Sequence, residues 1–246
     1  MVKQLLKKMV IGSPLEPLAR AVYGWVSKTG KYDLQTLQVM DRVLKPNSNC
    51  IDVGCYKGDM LREMIRRSPQ GRHFAFEPNP HQYSFIKELF PEIEIHNVAL
   101  SSSTGEATFQ WCVSSPALSG LARRECTQNE KVEELTVRTV LLDDMIPEDV
   151  HIDLIKVDVE GAEYQVFQGA VRTMARCRPV VVFEHGLGGA DQFGTKPEQV
   201  FDLLQEECGL ELSLMEDWLK GREPLTRKAF ASEFNSHRNF YFMAHP

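Results

Sequence analysis

The sequence lacks several features that would assign it to a specialised class of protein. It contains no stretch of about 20 apolar residues, the length that a membrane-spanning helix needs. Its six cysteines include no CxxC pair, so we expect no structural zinc site. We also recognise no secretory signal, and we therefore expect reduced thiols in a cytoplasmic protein.

Excess positive charge is also missing, because 34 acidic residues outnumber 28 basic ones and give a net charge of −6. A protein that binds phosphate backbones needs a basic face, so we expect no nucleic-acid partner. The first residues, MVKQLLKKMVI, are basic and amphipathic, but their apolar run ends at Gly12. We expect a helix docked on the domain; the alternative is a weak membrane-surface contact.

The chain is long enough for one large domain with an appendage. Residues 1–45 indicate a separate helical segment, and residues 46–246 the main domain. From Cys50 onward, short apolar runs alternate with helical spacing, which predicts strands at Cys50–Gly54, Phe74–Phe76 and Ile93–Leu100. Strands that alternate with helices indicate a parallel sheet with helices on both faces.

Two runs of strict alternation then interrupt this rhythm, around Phe109 and around Val137. They predict an antiparallel pair inserted after the third strand, joined by a long polar loop at 114–130 of the kind that often binds ligands. The parallel pattern resumes with strands at Ile152–Val159 and Val180–Phe183, and helical spacing from Ala162 to Met174 predicts one helix between them. Two last strands are expected near 210–215 and 240–244 with no clear helix between them, which predicts a mostly parallel, Rossmann-like sheet with an antiparallel edge.

The first predicted strand leads into the segment IDVGCYKGD, which has the features of a nucleoside-binding turn. Gly54 and Gly58 bracket the turn, where glycine allows a ligand to approach the backbone closely. The second strand ends at Glu77, and a carboxylate in that position can accept hydrogen bonds from both hydroxyls of a ribose. The plain alternative is a structural turn followed by a surface glutamate.

The turn does not have the form that a dinucleotide requires. Tyr56 stands where the GxGxxG pattern of nicotinamide sites has its second glycine, and Asp52 and Asp59 flank the turn. Acidic groups favour a cationic ligand over a pyrophosphate, which points to S-adenosylmethionine. Two alternatives stay open: a nicotinamide-dependent oxidoreductase, and a nucleoside-binding or interaction module without catalysis.

Several segments together resemble the FkbM family of methyltransferases, in the same order and spacing between about residues 50 and 186. They are IDVGCYKGD, FAFEPNP, NVALSSSTGEATF, LLDD, IDLIKVDVEGAEYQVFQGA and RPVVVFEHG. The resemblance implies a class I methyltransferase fold with a seven-stranded sheet, S-adenosylmethionine as cofactor, and methylation of a hydroxyl on a sugar, glycan or small natural product. The expected cofactor-binding residues are Asp52, Gly54, Tyr56, Gly58, Glu77, Pro78, Val98, Ala99 and Asp158.

Methylation of an alcohol needs a proton acceptor near the transferred methyl group. The strand ends at Asp158 and Glu184 bring acidic side chains to the same sheet edge as Gly54, so we predict catalytic roles for Asp158, Glu160, Glu184 and His185. No tight ligand spacing demands a metal, and we predict none. The alternative is that the same four residues bind a divalent cation that acidifies the hydroxyl.

Other charged residues in these segments have simpler interpretations. Glu163 is expected in a first helical turn, where its charge favours the helix dipole. Asp143 and Asp144 are expected to cap a helix. Arg123 and Arg124 lie in the long loop, where a solvated charge pair is favoured over a clamp for an anionic acceptor.

Overall fold

The structure is a computed structural model that describes residues 28–115, 118–122 and 131–246. The basic N-terminal segment, Arg123 and Arg124 lie outside the described residues. The chain divides into two compact units, Met1–Arg42 and Val43–Pro246. Of the first unit, the structure describes residues 28–42, which belong to α1 (Lys28–Val43). Among the described residues, no helix is both long and apolar enough to cross a membrane.

The second unit contains a seven-stranded sheet. Its strands are β1 (Cys50–Val53), β2 (His73–Phe76), β3 (Glu94–His96), β7 (Leu154–Val157), β8 (Val180–Glu184), β9 (Glu211–Ser213) and β10 (Tyr241–His245). They lie in the order β3-β2-β1-β7-β8-β10-β9. β10 runs antiparallel to both of its neighbours, whereas the other pairs are parallel. The mostly parallel sheet with an antiparallel edge is therefore confirmed.

α-Helices connect these strands, some with a capping side chain at the N-terminus. They are α2 (Asp59–Arg67), α3 (Pro80–Leu89), α4 (Glu163–Gln168), α5 (Val171–Cys177), α6 (Pro197–Asp202), α7 (Met215–Leu219) and α8 (Arg227–Asn235). α3, for example, has proline at its start, and the Asn79 side chain accepts a hydrogen bond of 2.9 Å from the His81 backbone N–H. Fully buried strands, such as β1 and β7, form the centre of the core.

The predicted third strand, Ile93–Leu100, is divided in the structure. β3 stays in the main sheet, whereas β4 (Ala99–Leu100) belongs to a second sheet with β5 (Gly105–Cys112) and β6 (Val132–Val140). The chain changes direction at Asn97, whose side-chain amide donates to the backbone oxygens of Glu77 and Pro78. The antiparallel pair predicted after this strand is confirmed as β5 and β6.

Two further expectations need correction. The helical pattern from Ala162 to Met174 forms two helices in the structure. The first helix ends before Gly169, where a side chain would collide with the Ser101 backbone oxygen. The segment between the last two strands contains α7 and α8, although its sequence shows no clear helical pattern. α8 supplies Phe230, which is fully buried in the core.

Candidate active site

A cleft lies at the carboxyl ends of β1, β2 and β7, where the sequence placed the nucleoside turn. Parallel sheets bind ligands at this edge, next to the point where the strand order reverses. Glu77 and the acidic residues Asp158 and Glu160 all line the cleft. Val98, Ala99 and Phe109 are among its apolar lining residues. Residues of the main sheet and of the second sheet thus line the same cleft.

Glu77 is held rigidly at the edge of the cleft. Its Oε2 accepts a 2.9 Å hydrogen bond from the Tyr56 backbone N–H, and its Oε1 accepts one of 3.0 Å from the Asn79 backbone N–H. The side chain is only 5% exposed, and burial raises the pKa of its carboxyl to about 7. Each carboxylate oxygen can accept further hydrogen bonds, which suits a pair of ribose hydroxyls.

The glycine turn combines close packing with unusual backbone angles. Gly54 has a φ of 74°, and a Cβ at this position would lie 1.9 Å from the Asp158 backbone oxygen. Gly58 has a φ of 73°, and a side chain there would meet the Phe90 ring rather than the cleft. Gly54 and Tyr56 line the cleft, whereas Gly58 shapes the turn from outside it.

Asp52 lies beneath this turn and does not line the cleft. It pairs with Lys156 in the register of β1 and β7, so their side chains lie on the same face of the sheet. The Lys156 Nζ is 3.6 Å from Asp52 Oδ1, and Asp52 is fully buried. Burial raises the pKa of the Asp52 carboxyl. The expectation that Asp52 contacts a cofactor directly is therefore corrected, because its carboxylate faces a buried lysine.

Val98, Ala99 and Pro78, which the sequence predicts to bind the cofactor, line the cleft. Val98 directly precedes β4, Ala99 begins it, and Pro78 follows β2. Leu121 and Gly120 come from the segment 118–122, which is joined to β5 by a pair of backbone hydrogen bonds between Gln110 and Gly120. Residues of the inserted sheet and of the segment 118–122 thus form part of the cleft wall.

The acidic group consists of Asp158, Glu160 and Glu184, and each offers an oxygen within 4.8 Å of the other two. These three residues could hold a divalent cation, as the alternative interpretation of the sequence required. Lys156 already faces the group, with its Nζ 3.3 Å from Asp158 Oδ2. The Tyr241 hydroxyl donates a 2.6 Å hydrogen bond to the same oxygen.

The pKa values of Asp158 and Glu184 are shifted in opposite directions by their surroundings. Burial alone would raise the pKa of Asp158, but Lys156 and the Tyr241 hydroxyl hold it below its usual range. Burial and the Asp158 charge raise the pKa of Glu184 well above its usual range. At neutral pH, Asp158 is therefore ionised and Glu184 carries a proton.

His185 lies away from the cleft, and the expectation of a catalytic role is corrected. It is 0% exposed, and its ring stacks against Phe234 and Phe230 of α8. Burial lowers the pKa of its imidazole to about 4, so the ring is neutral at physiological pH. Adjacent residues of an extended chain point to opposite sides, which separates His185 from Glu184.

Sequence reasoning overlooked Lys156, Tyr241 and Asn97. Lys156 gave a usable signal, because a charged residue inside an otherwise apolar strand requires a partner. Tyr241 gave none, since it is distant in sequence from Asp158.

The expectation that Asp143 caps the helix start at which it lies is corrected, because it caps a helix distant in the chain. Its carboxylate accepts hydrogen bonds from the backbone N–H groups of Arg172 and Thr173 in α5. Asp144 forms an ion pair with the Arg172 side chain.

The strand order, the antiparallel β10 and the position of the cleft define a class I methyltransferase fold. A solved structure of methyltransferase FkbM from Methylobacillus flagellatus has the same fold, with a TM-score of 0.51 and 14% sequence identity. The similarity covers 82% of this chain and 44% of that one. The family model for the methyltransferase FkbM domain matches residues 52–212. The chain therefore belongs to the FkbM methyltransferase family.

Two curated relatives have named activities. The 2-O-methyltransferase NoeI of Sinorhizobium fredii is 27% identical over 162 residues, which cover 57% of this chain and 65% of that protein. The hexuronic acid methyltransferase AglP of Haloferax volcanii is 28% identical over 165 residues, which cover 63% of each chain. This chain thus spans less than two thirds of the length of either relative.

Proposed function

We propose that this protein is an S-adenosylmethionine-dependent O-methyltransferase that acts on a hydroxyl of a sugar, glycan or small natural product. The observation that carries the proposal is one cleft lined both by Glu77 and by the acidic residues Asp158 and Glu160. Membership of the FkbM family supports methyl transfer. The names of the relatives NoeI and AglP support a sugar-like acceptor. The buried thiols of Cys50, Cys55, Cys177 and Cys208 suit the cytoplasm, which we propose as the site of action.

The cleft fits the three chemical parts of this cofactor. Glu77 would accept hydrogen bonds from the ribose hydroxyls, and Val98, Ala99 and Phe109 would contact the adenine. The ionised Asp158, which also lines the cleft, would favour the positive charge of a sulfonium. The cofactor, when bound, would supply an electrophilic methyl group.

Glu160 is the residue we assign to proton removal. Asp158 has a lowered pKa and is a weak base, whereas Glu184 already carries a proton at neutral pH. His185 is excluded by its burial. Glu160 lines the cleft, as Asp158 does. It would take the proton of the acceptor hydroxyl while the oxygen of that hydroxyl becomes methylated. Asp158 and Glu184 would orient that hydroxyl.

A methyl-transfer assay tests the proposal directly. The protein is incubated with S-adenosylmethionine carrying a labelled methyl group and a panel of neutral and uronic sugars, and the labelled product is identified. We expect transfer to a hydroxyl oxygen, and we expect Glu160→Gln to lower kcat by about 100-fold or more. The exposed Glu148→Gln serves as the control that leaves kcat unchanged.

Two results would contradict different parts of the proposal. Full activity of the Glu160→Gln protein would remove the assigned base and leave the reaction standing. Absence of labelled product with every acceptor, together with absence of cofactor binding, would overturn the function itself.

A further inference from the structure

The turn that carries Glu160 has a backbone conformation that its residue disfavours. Glu160 has a φ of 60°, in the left-handed region that residues other than glycine rarely occupy, and Gly161 follows with a φ of 113°. Such a conformation persists only where its surroundings impose it, and it is found most often at functional sites. The surroundings of this turn therefore contain the group that holds it.

Glu163 is that group. Its Oε1 accepts two backbone hydrogen bonds, one of 3.2 Å from the Val159 N–H and one of 3.0 Å from the Gly161 N–H. The two donors flank Glu160 on both sides. One carboxylate oxygen thus fixes the backbone before and after the residue to which we assign proton removal.

Neighbouring segments also pack closely around the turn. A side chain at Gly161 would lie 2.4 Å from the Gly189 backbone. A side chain at Gly120 would come within 3.1 Å of the Glu160 Cβ. Because the φ of Glu160 is unfavourable, loss of the Glu163 contacts would let the backbone relax within this packing and shift the Glu160 carboxylate relative to the cleft.

We propose that Glu163 is a positioning residue for methyl transfer, which holds the Val159–Gly161 turn so that the Glu160 carboxylate stays at the cleft. Glu163 itself is 1% exposed and lies in the first turn of α4, behind the cleft wall. It therefore acts on the acceptor only through Glu160. This inference rests on the proposed function, and it adds a residue and a physical role to it.

Two substitutions distinguish the role of the length of the Glu163 side chain from the role of its charge. Glu163→Gln keeps an acceptor oxygen at the same distance and removes the charge, whereas Glu163→Asp keeps the charge and shortens the side chain. We expect kcat of the Gln protein to stay within about threefold of the wild type. We expect kcat of the Asp protein to fall by up to about 100-fold, because a displacement near 1 Å at a reacting group costs that much. The Kd of S-adenosylmethionine stays within about twofold in both proteins, since Glu77 is unchanged.

A double-mutant cycle shows whether Glu163 acts through Glu160. We expect Glu160→Gln combined with Glu163→Asp to be no slower than Glu160→Gln alone, because the displaced group is already disabled. The inference is overturned if the Asp protein is as fast as the wild type, if the Gln protein falls as far as the Asp protein, or if the two losses multiply.

A stability cycle keeps the inference testable if the wild type transfers no methyl group, a result that would count against the proposed function alone. Glu160→Gly relieves the unfavourable φ, and its effect on the urea midpoint is measured with Glu163 and with Glu163→Asp. We expect the two changes to be non-additive, since both act on one turn. Additive changes in the urea midpoint would overturn the inference.

Discussion

The Tyr241 hydroxyl donates a hydrogen bond of 2.6 Å to Asp158 Oδ2 and so links β10 to the end of β7. The same oxygen lies 3.3 Å from the Lys156 Nζ. Asp158 is thus fixed in position and kept ionised by residues on two strands. We infer that this fixed charge faces the methyl group that the cleft would receive.

Removal of the Tyr241 hydroxyl tests this relationship. We expect Tyr241→Phe to lower kcat by roughly tenfold, because a hydrogen bond to a charged group contributes about 1.5–3 kcal/mol and only part of it acts in the transition state. The pKa of Asp158 should rise toward its ordinary value. The measurement is the steady-state pH–rate profile.

The matched control is Tyr83→Phe, a partly buried tyrosine of α3 that packs in a separate cluster around Leu61. We expect its kcat and its pH–rate profile to match those of the wild type. Equal kcat values for the two variants would show that the hydroxyl at Tyr241 has no part in the reaction.

Lys156 provides a test of stability rather than of rate. It is 7% exposed between the carboxylates of Asp52 and Asp158, so Lys156→Met leaves buried negative charge without compensation. We expect the free energy of unfolding to fall by about 3–5 kcal/mol. Urea denaturation at neutral pH measures the change.

A second substitution should recover part of this loss. Asp52→Asn combined with Lys156→Met removes the fully buried carboxylate together with the lysine, so the double variant should be more stable than Lys156→Met alone. The exposed Lys220→Met, which breaks a surface ion pair with Glu216, should cost less than about 1 kcal/mol. A loss for Lys156→Met as small as that of the control would contradict the electrostatic role.

Cofactor affinity should depend on pH through Glu77. Burial raises the pKa of this carboxyl to about 7 in the free protein. Hydrogen bonds from ribose hydroxyls favour the ionised form, so the pKa falls on binding and protons are released. We therefore expect affinity to be full above about pH 7 and to weaken as the pH falls below it, by at most tenfold per pH unit.

Calorimetry near pH 6 in two buffers of different ionisation heat measures the released protons. The Glu77→Gln protein should release none, because the titrating group is gone. Proton uptake by the wild type, or an affinity that rises as the pH falls, would contradict the assignment of Glu77.

Metal removal tests the second interpretation of the acidic group. Lys156 and the proton on Glu184 already offset part of its negative charge, so we expect full methyl-transfer activity after treatment with a chelator and desalting. If activity is lost and Mg²⁺ restores it, then Asp158, Glu160 and Glu184 hold a divalent cation and our account of proton removal is wrong.

The sequence indicated the parts of the site that depend on local pattern. The turn after β1 and Glu77 after β2 could be predicted, because glycine, strand ends and parallel order place them at one sheet edge. The opposite faces of Glu184 and His185 could also have been anticipated from strand alternation. The prediction that both residues lie at the cleft rests only on their position at and just after the end of β8.

Long-range contacts could not be predicted in the same way. The bond between Tyr241 and Asp158 depends on the antiparallel register of β10 against β8, which no local motif specifies. The break in the third strand depends on Asn97, whose amide finds its acceptors only after β2 and β3 have paired. The left-handed conformation of Glu160 is likewise imposed by Glu163 and by packing.

The most direct test of the central claim is a calorimetric titration of the protein with S-adenosylmethionine. The account predicts saturable binding at one site per chain and a Kd that increases by about 30-fold or more in Glu77→Gln, while the exposed Glu92→Gln binds like the wild type. Absence of binding to the folded protein, or equal affinity of the Glu77→Gln and wild-type proteins, would contradict it.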